Sequence, residues 1–214
     1  MPMVRKVTAT VALLLLAACG SKTLDSGPKP LKTRPNDWHA IATAPDRDRL
    51  AKWRAAWMAG LEKAMAAGKR AQIGALGALL RPDAALDDPL LPAGDYSCRM
   101  VKLGAKTEGL SDFVAYPPFT CRITVDEGRL HFAKIGGSQR PVGDILPDDG
   151  RRMIFLGAMM LGDEARPLPY GRDAERDMAG IVERIDAGRW RIAFPYPRWE
   201  STIDILELTP KGSE

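Results

Sequence analysis

The strongest periodic signal lies in the second half of the chain. Tyr96, Cys98 and Met100 alternate with Ser97 and Arg99, and Phe119, Cys121, Ile123 and Val125 alternate with Thr120, Arg122, Thr124 and Asp126. Leu130 and Phe132 share a face opposite Arg129 and His131. A period of two marks strands with one buried face. Residues 142–146, 153–159, 178–183, 189–194 and 202–208 continue the series, punctuated by Glu127-Gly128, Asp149-Gly150 and Ala187-Gly188. Residues 167–177 form the longest polar insertion between late strands. About eight short strands joined by tight turns predict an antiparallel meander, which loses its exposed edges by closing into an up-and-down barrel. A two-sheet sandwich shares this one-dimensional pattern, so both closures stay open. Tyr96, Phe119, Phe132, Phe155 and Trp190 are large inward candidates. They predict a filled interior, which leaves binding to loops and rim.

Upstream the period lengthens. Leu50, Trp53, Trp57, Leu61 and Ala64 recur every three or four residues, the stripe of one amphipathic helix. Thr43 with Asp46 resembles a capping box, Pro45 suits a first turn, and Gly68 is a stop. Trp53 and Trp57, one turn apart, would dock this helix on the sheet. A shorter helix is predicted over residues 69–80, ended by Arg81-Pro82, with residues 83–92 an irregular connector. The expected fold class is α+β, a helical segment (37–92) packed on an antiparallel β domain (93–210).

The N-terminus carries a different message. Arg5 and Lys6 precede an apolar run from Val11 to Leu16, and Leu16-Ala17-Ala18-Cys19 follows. This is the pattern of a lipoprotein signal peptide over residues 1–18, with the Cys19 thiol accepting lipid before cleavage. The apolar run is shorter than the roughly 20 residues that span a bilayer. The expected attachment is therefore a lipid anchor rather than a span, and several acyl chains hold firmly where one does not. Gly20 rather than Asp follows the cysteine, the pattern of lipoproteins forwarded to the Gram-negative outer membrane. Residues 19–36, with Gly27, Pro28, Pro30 and Pro35, read as a flexible tether. The expected location is the cell envelope, lipid-anchored at the outer membrane and facing the periplasm.

Charge and cysteine content sharpen this picture. Without Arg5 and Lys6 the 31 basic side chains fall to 29 against 27 acidic ones, close to neutrality. Charges are interspersed, as in Arg172-Asp173-Ala174-Glu175-Arg176-Asp177, so no basic face is offered to nucleic acid. With Cys19 assigned to lipid, Cys98 and Cys121 are left for an oxidising compartment and are predicted to pair between two strands. Closing that loop constrains the unfolded chain by roughly 3 kcal/mol on an entropic account.

Several short stretches have a family look. Gly136-Gly137-Ser138-Gln139-Arg140-Pro141-Val142-Gly143, Phe155-Leu156-Gly157 with Gly162-Asp163-Glu164, Tyr170-Gly171-Arg172-Asp173 and Arg189-Trp190-Arg191 resemble a bacterial family, domain of unknown function 4893. The resemblance covers roughly Asp37 to Leu208. It implies no activity and no catalytic residues.

Candidate chemistry is sparse. His39 sits at the entry to the first helix and His131 on an outward strand face, serviceable as a base only if a hydroxyl such as Ser138 comes beside it. His and Cys are too few for a zinc site, and Asp148-Asp149 and Asp163-Glu164 lack the spacing of a calcium loop. Met153, Met159, Met160 and Met178 read as core filling rather than copper ligands. Gly136, Gly137, Ser138, Gln139 and Arg140 offer backbone amides and a guanidinium for an anion but lack the Gly-Lys-Ser/Thr ending of a P-loop. Arg166, Tyr170, Arg172, Asp173 and Arg176 form the best-stocked polar region, and with Arg140 compose a candidate surface for an acidic partner. No catalytic residue, metal or cofactor is assigned. Three readings stand: a non-catalytic module binding an envelope protein or small ligand, an inhibitor-like role being one version; an envelope hydrolase using carboxylates or His131 in an end cleft; and a structural scaffold.

Overall fold

The two ends of the meander meet. The computed structural model describes residues 1–3, 36–162 and 164–212. The predicted lipid site at Cys19, nearly all of the predicted signal and tether, and Asp163 lie outside the described residues. Nine strands follow four short helices: β1 (Gly94–Ala105), β2 (Phe113–Ala115), β3 (Phe119–Asp126), β4 (Arg129–Ile135), β5 (Gln139–Pro147), β6 (Met153–Leu161), β7 (Asp177–Asp186), β8 (Arg189–Pro195) and β9 (Ser201–Pro210). Every neighbour is antiparallel, and β9 pairs back onto β1 from Tyr96↔Pro210 to Ala105↔Ser201. The result is an α+β protein with a closed eight-stranded barrel and one extra strand. β2 was not expected. Its three residues, too few to alternate, pair with β1 beside β3, and Tyr116-Pro117-Pro118 separates the two.

The even positions of β1 and their equivalents point inward. Phe132, Phe155 and Phe194 meet edge to face across the barrel, with centroids 5.8 and 5.5 Å apart. Cys98 and Cys121, both fully buried, form a disulfide between β1 and β3 with Cα atoms 6.0 Å apart. Val125, read as part of the same stripe, is 58% exposed near the end of β3. Gly143 and Gly157 face each other across β5 and β6. A Cβ at Gly143 would fall on the Leu156 carbonyl oxygen, and one at Gly157 on the Val142 carbonyl oxygen. Only glycine admits this close, strongly coiled approach.

One barrel end is plugged. Residues 83–92, read as a mere connector, fold under it: Leu91 joins the interior cluster, Tyr96 Oη donates to the Pro92 carbonyl at 2.6 Å, and Trp190 Nε1 donates to that of Pro89 at 3.1 Å.

The helices coat the outside. They are α1 (Trp38–Ile41), α2 (Ala44–Ala51), α3 (Trp53–Ala66) and α4 (Arg70–Ala75), followed by a 3-10 turn, Gly77–Leu80. Thr43 caps α2 as expected, accepting from the Asp46 amide. The single long helix of the sequence reading breaks at Lys52, and the shorter one gives way to the 3-10 turn, with Gly77 at φ +53°. Trp57 is fully buried, and Gly60 lets α3 close on Leu103 and Ile203. Ala42 and Leu50 pack on Leu146, Ile154, Leu156, Ala179 and Ile181.

A buried ion pair ties the two layers. Arg191 Nη2 lies 2.6 Å from Glu183 Oε2, and both side chains are sealed from solvent. The rest of the guanidinium donates to the carbonyls of Ala78, Leu79, Arg81 and Pro82, where the 3-10 turn ends. Arg191 also lies 4.4 Å from the Trp57 ring centroid, and Arg152 completes Glu183 at 2.9 Å. Burial pulls the guanidinium below its ordinary pKa despite Glu183. Arg191→Leu would leave the buried Glu183 carboxylate with Arg152 alone and take a donor from each of four carbonyls. We expect it to cost about 3–5 kcal/mol, read as a lowered urea midpoint; a midpoint within error of wild type would refute the clamp.

Candidate functional site: the open barrel mouth

The barrel end opposite the plug is open. Because Cys98 and Met100 point inward, so does Lys102, and its register partner Asp204 meets it from β9. Lys102 Nζ lies 3.1 Å from Asp204 and 2.9 Å from Glu200, and Ser201 Oγ donates to Asp204. Burial works to lower the Lys102 ammonium, but Asp204 and Glu200 outweigh it and hold the group above its ordinary value. Burial keeps the Asp204 carboxyl above the usual carboxylate range against the pull of Lys102 and Ser201.

Above this pair lies a cavity of about 370 Å³, within the range of small-ligand pockets. Met100, Met159 and Met178 line it from below, Tyr116, Pro117 and Phe119 from the β2–β3 side, and Gly137, Ser138, Gln139 and Pro141 from the β4–β5 side. Lys134 also faces it, with Nζ 4.4 Å from the Phe119 ring centroid and donating to the Gln139 carbonyl at 2.8 Å. The expectation of a filled interior therefore holds only for the plugged half. Met159 and Met178, read as filling, serve both as core and as cavity wall.

The structure divides the predicted surface. Gly137, Ser138 and Gln139 reach the mouth, and Gly136, at φ +83°, turns the chain beside them. Arg140 turns outward and donates to the carbonyls of Gly137, Gly162 and Glu164, so three of its five N–H donors are spent on the backbone. Tyr170 is a latch: its hydroxyl donates to Asp46 at 2.6 Å and accepts from the Thr43 amide, and burial raises its pKa. Asp173 accepts from the Glu175 amide within its own loop, while Arg166 and Arg172 are exposed. Arg176 pairs with Glu164 at 3.1 Å.

This barrel matches the family described as "Domain of unknown function (DUF4893)" over residues 38–208. The chain belongs to that family. Comparison with curated proteins and with solved structures returned no match.

Elsewhere in this DUF4893 protein, His131 stands on the outer barrel face, its Nδ1 3.0 Å from Asp144, which Arg129 also pairs at 2.8 Å. Burial works to raise the Asp144 carboxyl, but hydrogen bonds from His131 and Arg129 outweigh it and bring the pKa below its ordinary value. Ser138 sits in the mouth turn rather than beside that ring. His39 bonds Asp37, Asp148 accepts from the Trp38 indole, and Asp149 accepts from the Arg151 amide. Among the described residues no group of three or more His, Cys, Asp or Glu is placed to hold a metal. Sequence reasoning missed Lys102, Lys134 and Asp204. The signal was there as charges at inward positions of strands, the parity that alternation defines.

Lys102→Met leaves Asp204 buried without its cation, an expected loss of about 3–5 kcal/mol at neutral pH. A carboxyl whose folded pKa is raised binds its proton more tightly in the native state, so ionising it costs stability as pH rises. The deficit should therefore shrink as pH falls from about 7 toward the unfolded carboxyl pKa of about 4. Urea titrations across that range test this, and a pH-independent deficit would count against it.

Proposed function

We propose that this chain is a lipid-anchored envelope protein whose barrel mouth binds a small ligand without catalysis. The observation that carries the reading is the half-filled barrel. One end is sealed by residues 83–92, and the other opens on an apolar-walled cavity with a few placed polar groups, the usual make-up of a ligand site. Eight strands enclose an interior that side chains can fill or that can hold one small ligand, and here the two uses are stacked along one axis. Placement in the envelope rests on the Arg5–Cys19 pattern and on Cys98 pairing with Cys121, since disulfides persist outside the reducing cytosol. Among the described residues no helix is long and apolar enough to cross a membrane.

Two measurements test this. Cells expressing the full chain and fed an alkyne-bearing fatty acid should label it, and Cys19→Ala should abolish the label; labelling that survives would refute the anchor. N-phenyl-1-naphthylamine, an uncharged fluorophore, should bind the purified protein saturably. Met100→Trp, which puts a larger side chain at the cavity wall, should weaken it about tenfold or more, the effect of roughly 1.4 kcal/mol. No saturable signal from the wild type would sink the binding reading.

A further inference from the structure

The cavity's charges are unevenly matched. Lys102 is shared by two carboxylates, Glu200 and Asp204, so along the β9 wall the one cation is already matched by more than its own charge. Lys134, across the mouth on β4, has no carboxylate within salt-bridge distance among the described residues. Its ammonium spends one hydrogen on the Gln139 carbonyl and rests against the Phe119 ring, so two of its three donors are left for the cavity. Burial, and then the cations Lys102 and Arg140, bring the Lys134 pKa below its ordinary value. A half-buried cation with no carboxylate paired to it is stabilised by an incoming anion. The remaining wall, Met100, Pro117, Phe119, Pro141, Met159 and Met178, is apolar and rewards burial of a hydrocarbon body. Tyr116 and Trp199 are exposed beside the opening, where amphipathic rings suit a boundary between apolar and wet surroundings.

We propose that the ligand is a small amphipathic anion, its apolar body seated on the three methionines and its carboxylate, sulfonate or phosphate bonded to Lys134. This deepens the binding reading above and rests on it. 8-Anilinonaphthalene-1-sulfonate and N-phenyl-1-naphthylamine share one ring system and differ by the sulfonate, so the ratio of their affinities isolates the anionic group. The full-length wild type should prefer the sulfonate. Lys134→Met should cut that preference about ten- to hundredfold, the range of a charge-assisted hydrogen bond, and Lys134→Arg should retain most of it. An unchanged ratio in Lys134→Met, or no preference in the wild type, would overturn the anionic class while leaving cavity binding intact. Failure of both probes to bind the wild type would sink the cavity reading, and this inference with it.

Discussion

Everything in this protein follows from the pairing of β9 with β1. Once Tyr96 faces Pro210 and Ala105 faces Ser201, the sheet has an inside, and each alternating residue must choose between a dry interior and an outer face. Closure also abolishes the edges that an open meander would expose. It then defines two ends with different fates, and the chain treats them differently. The segment before β1 turns under one end with Leu91 as its stopper, and at the other the interior residues change from aromatic to methionine, lysine and aspartate.

The outer face is as consequential as the inner one. Strands that would otherwise read as polar-out carry Val101, Leu103, Ile203 and Ile205, because α3 covers them. The helical coat brings buried polar backbone with it, and the 3-10 turn ends in four converging carbonyls that take donors from a side chain. Arg191 supplies them from a single guanidinium while answering Glu183. A planar fork of five N–H groups suits that task in a way that lysine does not.

Strands were legible where burial is one-sided. Tyr96, Cys98, Phe119, Cys121, Leu130 and Phe132 alternate because one face meets the core, and that signal also pointed to the disulfide. Arg191 was not legible. It occupies an outward position flanking Trp190, and only the helices above make that position buried. The plug was hidden for a similar reason, since Leu90 and Leu91 are an isolated apolar pair, and only a barrel end built from residues far away in sequence buries the second of them. The mouth was half visible: the Gly136–Gln139 turn was singled out for its glycines, but Arg140 was credited with a donor role that backbone carbonyls had already claimed. Tyr170 looked like a surface recognition residue because its partner, Asp46, lies in a different element.

The facing glycines of β5 and β6 restrict how this sequence can drift. At most paired positions in a sheet a larger residue on one strand is offset by a smaller one opposite. Here the obstructing atoms are main-chain carbonyl oxygens of Val142 and Leu156, which no exchange of side chains can shrink. Positions 143 and 157 therefore cannot trade volume, and each is confined to glycine independently of its neighbour.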